Sequence, residues 1–203
     1  MRSLKAVIVA LALLTLSGCG YNAIQQKDEA VTAAWSEVLN QYQRRADLVP
    51  NLVSTVQGYA QHEADVFTRV AEARSQVGTL KITPDMLSDP AVLTKFQAAQ
   101  GELSSALTRL MAVSENYPQL KADGLFQNLQ AQLEGTENRI VVARNRYVQA
   151  VQDFNTYVRS FPQNLTAKLF GYPPKANFSV ENEKAISTAP KVEFNKPTPA
   201  ATN

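Results

Sequence analysis

The chain contains one thiol and one imidazole, Cys19 and His62, and this scarcity limits the chemistry it can perform. A single Cys excludes an intrachain disulfide, and three protein ligands for a zinc ion cannot be found around a single His. His62 is followed by Glu63, but Val66 stands where a zinc protease has its second His. We therefore expect no metal, no cofactor and no catalytic residue, and we predict that the protein is not an enzyme.

Cys19 follows an N-terminal segment with the layout of a secretory signal. Residues 1–5 are basic and lack an acid, and residues 6–16 are apolar apart from Thr15. A helix of that apolar length reaches about 16 Å, roughly half of a ~30 Å hydrocarbon core. We interpret residues 1–18 as a signal peptide.

The sequence Leu16-Ser17-Gly18-Cys19 resembles the bacterial lipobox. The resemblance implies that the Cys19 sulfur receives a diacylglyceryl group, that the chain is cut before Cys19, and that the new amine is acylated by a chain such as palmitate. Without residues 1–18 the body carries 18 basic and 18 acidic side chains, so attachment would depend on the acyl chains. Lipoproteins with Asp after the Cys resemble the class retained in the inner membrane. Gly20 therefore favours the outer membrane where the cell has one, with the body facing the periplasm or the exterior.

The body shows apolar residues at helical spacing in three long runs. In the first, from Val31 to Val77, the 4-3 spacing of a coiled coil holds for fourteen positions, of which twelve are apolar. Pro50 interrupts this run but the phase continues, so of the two alternatives, a kinked helix or a split into a hairpin, the kink is favoured. Asp89-Pro90 is typical of a helix start, and the runs that follow cover 92–117 and 126–161.

These patterns predict an all-α fold: an antiparallel up-and-down bundle of three to four long helices over residues 19–161, the first kinked near Pro50. Residues 162–195 are expected to form an extended strap, within which Asn164 to Phe170 could form a short helix, held on the bundle by Phe178, Val192 and Phe194, and residues 196–203 a disordered tail. The near-neutral charge excludes an electrostatic nucleic-acid interface.

The densest polar cluster includes Arg44, Arg45, Asp47 and Asn51 around Pro50. Arg45 occupies a core-type position, where an unpaired charge is costly. Either it forms a buried ion pair that fixes the register of the helices, which we favour, or the arginines bind an anionic group of a partner. Asp47 and Asn51 are candidates to cap the carbonyl that Pro50 leaves without its usual donor.

Three carboxylates are candidate partners for buried arginines. Glu134 and Glu137 are the candidates for Arg45. Glu63 lies on the apolar stripe and is expected to pair with an arginine such as Arg109, forming a second ionic layer.

Together these residues resemble the LemA family of bacterial membrane-associated proteins, over most of the mature chain. The resemblance rests on Tyr21-Asn22, residues 33–35, residues 42–53, residues 58–60, His62-Glu63, residues 72–74, residues 115–118, residues 136–140, Phe161-Pro162 and residues 190–194. It implies a helical bundle displayed outside the cytoplasmic membrane. Many relatives keep an uncleaved N-terminal membrane helix, from which the lipobox departs, and the family has no established reaction to carry over.

We expect a non-enzymatic, lipid-anchored envelope protein that acts as a scaffold or binds an envelope protein partner. An accessory subunit of a membrane protease or transporter is the alternative, and an envelope enzyme is less favoured. Little linker separates Cys19 from the first helix, so the bundle should stand close to the bilayer. The sequence names neither the partner nor the oligomeric state.

Overall fold

The computed structural model describes the backbone of residues 2–178 and the side chains of residues 20–178. The helices are α1 (Arg2–Gln57), α2 (Ala64–Thr79), α3 (Pro90–Ser114), α4 (Pro118–Lys121), α5 (Gly124–Arg159) and α6 (Gln163–Phe170), with a 3-10 turn at Pro84–Ser88. No strand occurs among the described residues, and the prediction of an all-α bundle is confirmed. Within this part of the chain, no helix combines the length and the apolar character needed to cross a bilayer.

The long helices alternate in direction. Lys27, early in α1, lies over the ring of Tyr157, which is near the end of α5. Farther along α1, Gln41 accepts a hydrogen bond of 3.2 Å from Arg139, which comes earlier in α5. Arg74, late in α2, reaches back to Ala46 in α1. The four long helices therefore run up, down, up and down, with α1 and α5 as the longest antiparallel pair.

The apolar side chains form two clusters along the bundle axis. The first surrounds Trp35, whose ring lies 5.3 Å from those of both Phe96 and Tyr147. The second fills the other half with mainly aliphatic side chains from α1, α2, α3 and α5, around Leu52 and Leu110, together with Phe67 and Phe126. Burial of each such side chain contributes roughly 1.5–3 kcal/mol, which is why stripes that cannot hold an isolated helix hold the bundle.

The first apolar run is not one helix. We expected a single kinked element from Val31 to Val77, but α1 ends at Gln57 and the chain reverses before α2. The turn is closed by the Ala60 N–H on the Val56 carbonyl at 2.9 Å, and both residues are fully buried in the second cluster. The prediction was wrong because apolar phase fixes which side of a segment faces the core, and both arms of a hairpin can face the same core.

Pro50 itself lies inside α1, and the helix continues past it, as its phase predicted. Proline cannot donate to the carbonyl of Ala46, and Arg74 of α2 supplies the missing donor, with Nε 3.0 Å from that oxygen. The expected capping by Asp47 and Asn51 is absent: Asp47 accepts instead from Gln43 at 2.8 Å, and Asn51 is exposed. The proline thus creates the acceptor that ties α2 to α1.

Two aspartates start the later helices. Asp89 accepts from the Ala91 N–H at 2.8 Å with Pro90 in the first turn, which confirms the predicted helix start. Asp123 accepts from the N–H groups of Leu125 and Phe126 at the start of α5. The bond from the Phe126 N–H, and then that from the Tyr59 hydroxyl at 2.8 Å, lower the pKa of Asp123 below its usual value.

After α6, residues 172–178 run extended along α5. Asn155 holds this segment by two bonds of 2.8 Å, donating to the Lys175 carbonyl and accepting from the Lys175 N–H. The Tyr147 hydroxyl donates to the Ala176 carbonyl at 2.9 Å, and the Phe178 ring lies 5.2 Å from that of Tyr147. Val192 and Phe194, expected to hold the rest of the strap, and the tail 196–203 lie outside the described residues.

We predict that Arg74→Ala lowers the free energy of unfolding by about 1 kcal/mol, because the Ala46 carbonyl loses its donor. In a Pro50→Ala background the same substitution should cost close to nothing, since the backbone N–H restored at position 50 can reach that carbonyl. Urea unfolding followed by circular dichroism measures both differences, with Arg69→Ala on α2 as the control. An equal loss in both backgrounds would show that Arg74 acts in another way.

Candidate functional site

The side chain of Arg45 lies between the two apolar clusters and is almost completely buried. One terminal nitrogen donates to Ser104 Oγ at 2.8 Å and to Glu137 Oε1 at 3.0 Å. The other donates to the Gln100 carbonyl at 3.2 Å and to the side-chain oxygen of the same residue. The guanidinium also lies 5.0 Å from the Tyr42 ring centroid. We call Arg45, Gln100, Ser104 and Glu137 the arginine layer.

Of the two carboxylates expected for Arg45, Glu137 is the partner. The exposed fraction is 2% for the Arg45 side chain and 46% for Glu137, so the acid retains much of its hydration while the base is shielded. An ion pair of this kind avoids part of the desolvation cost of a fully buried pair. The favoured interpretation is therefore supported by the geometry: α1, α3 and α5 all contribute to one layer that fixes their register.

Arg45 has little capacity left for an external ligand. Its two terminal nitrogens are engaged within the bundle, and its Nε is buried, with no hydrogen-bond partner among the described residues. An anionic group of a partner would have to compete with Glu137 for this guanidinium. The arginine available to such a group is Arg144, two turns beyond Glu137 on α5.

Arg144 lines a cleft of about 800 Å³ between α3 and α5. Its guanidinium lies 4.5 Å from the centroid of the Phe178 ring, and Val141 and Asn145 are exposed on the same wall. The buried Tyr42 also lines the cleft. Burial raises the pKa of Tyr42 above its ordinary value, and the nearby Arg144 and Arg45 charges oppose that rise. A positive group beside apolar walls suits an anionic or amphipathic ligand.

The remaining residues of the predicted cluster are not brought together. Arg44 and Asp47 are exposed and line a separate shallow depression with Arg139. Asn51 is exposed one turn farther along α1, where its carbonyl accepts from Thr55 at 2.8 Å. Of the polar residues that cluster around Pro50 in the sequence, Arg45 is therefore buried, and Arg44, Asp47 and Asn51 are exposed.

Glu63 lies at the other end of the bundle, immediately before α2. It accepts a bond of 3.4 Å from the Tyr117 hydroxyl. The expected pairing with Arg109 does not occur among the ion pairs of the described residues, and the second ionic layer was a wrong prediction. The reversal after Gln57 is the cause, because it removes Glu63 from the helix on which its register was counted.

Within residues 20–178 no cluster of acidic residues, histidine and cysteine could hold a metal ion. The His62 side chain is exposed. The backbone of Cys19 belongs to α1, but its side chain is not among those that the structure describes. The next residue, Gly20, lies beside α6: a Cβ built on it would be 3.9 Å from Gln163 Cγ and from Thr166 Oγ1.

The protein is therefore an all-α, up-and-down helical bundle with one buried arginine layer and a proline inside its first helix. Residues 34–194 match the LemA family, and the chain belongs to that family. It is also similar to magnetosome proteins MamQ 1 and MamQ 2 of Paramagnetospirillum magneticum, each 26% identical over 190 residues that cover 84% of this chain and 67% of the relative. Magnetosome protein MamQ of Magnetospirillum gryphiswaldense is 25% identical over 183 residues, which cover 82% and 67%.

Sequence reasoning missed three residues of the site. Gln100 and Ser104 occupy adjacent turns of α3 beside the apolar stripe, and Arg144 follows the stripe residue Ala143. The polar break at Thr136 in the last stripe was a usable signal, because it lies beside Glu137 at the level of Arg45. The residues of α3 that lie at the height of Arg45 could not be predicted, because their identity depends on the length of the turn between α1 and α2.

We predict that Arg45→Ala lowers the free energy of unfolding by about 3 kcal/mol, because a cavity opens and the Gln100 side chain loses its partner. Arg44→Ala, one residue earlier and exposed, should change it by less than ~0.5 kcal/mol. Glu137→Gln should cost about 1 kcal/mol, since water can reach that side chain. Urea denaturation of the three variants checks the order. Unchanged stability of Arg45→Ala together with loss of a bound partner would favour the binding interpretation instead.

Proposed function

We propose that this protein is a lipid-anchored, non-enzymatic module of the cell envelope that binds a protein partner close to the membrane. The observation that carries the proposal is the continuity of α1. Cys19 of the lipobox-like sequence stands in the same helix as Trp35 and Arg45, with no linker between the attachment point and the core. Acyl chains on Cys19 would therefore hold the whole bundle, rather than a flexible tether, at the bilayer.

The dimensions of the bundle define its reach. Residues 20–57 of α1 extend about 57 Å at ~1.5 Å per residue, from the end beside α6 to the turn before α2. The cleft beside Arg144 lies between these ends. A partner that uses this cleft would approach the side of a column standing on the membrane.

The relatives support association with a membrane compartment. All three are named as magnetosome proteins, after a location and not after a reaction. Gly20 after Cys19 favours the outer membrane of a cell that has one, with the bundle facing the periplasm.

The cleft supports binding rather than catalysis. Glu137, the one carboxylate among the described residues of its lining, is held by Arg45, and no histidine contributes there. General acid–base catalysis near neutral pH would need a group poised to exchange a proton, whereas burial raises the pKa of Tyr42, the other titratable acid of the lining, above its already high ordinary value. The exposed Val141, the Phe178 ring and the Arg144 charge instead provide contacts for a partner segment with an apolar side chain and a carboxylate.

We predict that Cys19→Ala abolishes acylation and moves the protein out of the detergent-rich phase in a phase-separation assay. The reason is that the remaining body has balanced charges overall, and a surface contact without the acyl chains gives only weak, reversible binding. Intact mass and incorporation of labelled palmitate report acylation directly. In a cell with two membranes, separation of the inner and outer membranes on a density gradient shows which of them contains the protein.

Ser17→Ala is the matched control, because it changes the same motif but keeps a small residue before the cleavage point and leaves the thiol. It should be acylated like the unmodified chain. If Cys19→Ala partitions as the unmodified chain does, the lipid anchor is not what holds the protein at the membrane.

We predict that a photoreactive amino acid at Val141 forms a covalent adduct with a defined envelope protein. The same amino acid at Val142 should not, because Val142 is similarly exposed but does not line the cleft. Mass spectrometry of the adduct identifies the partner, and a subunit of a membrane protease or transporter would fit the alternative function. Arg144→Ala should reduce the Val141 adduct several-fold, since the charge of the cleft is lost.

Equal adducts at both positions would mean that the cleft is not the binding surface. Adducts at Val141 that join only residues of the same chain would contradict the proposal that a partner occupies it.

A further inference from the structure

Helix α6 and the residue two before it present an apolar stripe to solvent. Phe161, Leu165 and Leu169, spaced four residues apart, are exposed by 79%, 61% and 79%. Phe170 is also exposed next to Leu169, whereas Ala167 on the opposite side of α6 is buried in the first cluster. We call Phe161, Leu165, Leu169 and Phe170 the α6 stripe. Adjacent exposed side chains of this size mark an interaction surface.

The α6 stripe lies at the end of the bundle where the attachment point is. Gly20 packs against Gln163 and Thr166, and the Tyr21 ring lies 4.9 Å from that of Phe170. Cys19 is one residue before Gly20 in the same helix. Helix α6 therefore packs against the segment of α1 that directly follows the predicted acylation site.

The chain segment that carries the stripe has charged residues of one sign only. Between residues 154 and 178 the chain has three basic residues and no acidic one. Lys175 pairs with Asp28 of α1 at 3.0 Å, whereas Arg159 and Lys168 are exposed beside the apolar side chains. Exposed cations at the edge of an apolar stripe are typical of a helix that lies in a membrane interface, where they meet anionic headgroups.

We propose that the α6 stripe inserts into the surface of the lipid bilayer, as a second membrane contact beside the acylated Cys19. The proposal rests on the proposed function for the position of the membrane. The acyl chains predicted on Cys19 already make attachment durable, and the stripe would add a second point of contact on the same side of the bundle. Two contacts also fix the orientation of the bundle, which acyl chains alone leave free to tilt.

A thiol at Leu169 tests this directly in the full chain. Cys19 is the only native cysteine and acylation blocks it, so Leu169→Cys introduces the one free thiol. Leu125→Cys is the matched control: Leu125 is similarly exposed, but it lies in the first turn of α5 at the opposite end of the bundle. The purified acylated proteins are placed in vesicles of phosphatidylethanolamine and phosphatidylglycerol, and the rate of labelling by a charged, membrane-impermeant maleimide is measured.

We expect Leu169→Cys to react roughly tenfold or more slowly than Leu125→Cys in the vesicles, because a charged reagent is excluded from the acyl boundary. The difference should disappear after solubilisation in detergent at the same protein concentration. Adding Lys168→Glu should restore most of the labelling of Leu169→Cys in these anionic vesicles, whereas Lys121→Glu, at the other end of the bundle, should not.

Equal rates for the two thiols in the vesicles would overturn the proposal. So would protection of Leu169→Cys that falls as the protein is diluted in the bilayer, since the covering surface would then be a second copy of the chain. Protection found in native membranes but absent from the vesicles would identify a protein partner instead. The unmodified chain, denatured and treated with the same maleimide, reports separately on the anchor: labelling of Cys19 would show that acylation, and not the α6 contact, has failed.

Discussion

Placing one guanidinium in the middle of an apolar core is the constraint on which the arrangement of the helices depends. Arg45 cannot be left without partners there, and those partners come from α3 and α5, so three helices must meet at one height. A slip of one turn in either neighbour would remove Ser104 or Glu137 from reach. Apolar stripes alone tolerate such slips, because one aliphatic side chain substitutes for another with modest cost.

Arg74 satisfies a second buried polar requirement, the hydrogen bond that Pro50 cannot donate to the Ala46 carbonyl. The proline leaves a helical carbonyl without a donor, and the donor arrives from the neighbouring helix. The reversal at residues 58–63 then gains a specific contact that apolar packing does not supply. Arginines that donate to oxygen atoms in otherwise apolar surroundings thus fix the register along the axis and add a bond between the two arms of the α1–α2 hairpin.

The sequence was sufficient to predict the all-α class, the start of α3, the passage of α1 through Pro50 and a carboxylate partner for Arg45 from a pair that included Glu137. These features follow from local spacing and from the cost of an unpaired charge. The break after Gln57 was not predictable in that way, because the apolar phase on both sides of Ala60 is the same whether the chain continues or turns back. The cleft depended on this break, since the turn sets which face of α3 meets Arg45, and so Gln100 and Ser104 were missed.

The contact between Arg74 and the Ala46 carbonyl has a consequence for the conditions under which the bundle holds together. Arginine stays protonated throughout the physiological range, and a backbone carbonyl has no proton to gain. Acidification that would neutralise a carboxylate partner leaves this bond unchanged, and counterions screen a dipole-directed bond less than a pair of opposite surface charges. A bundle held outside the cytoplasmic membrane, as proposed, would meet the acidity and salinity of its surroundings, and its hairpin closes on a bond that responds to neither.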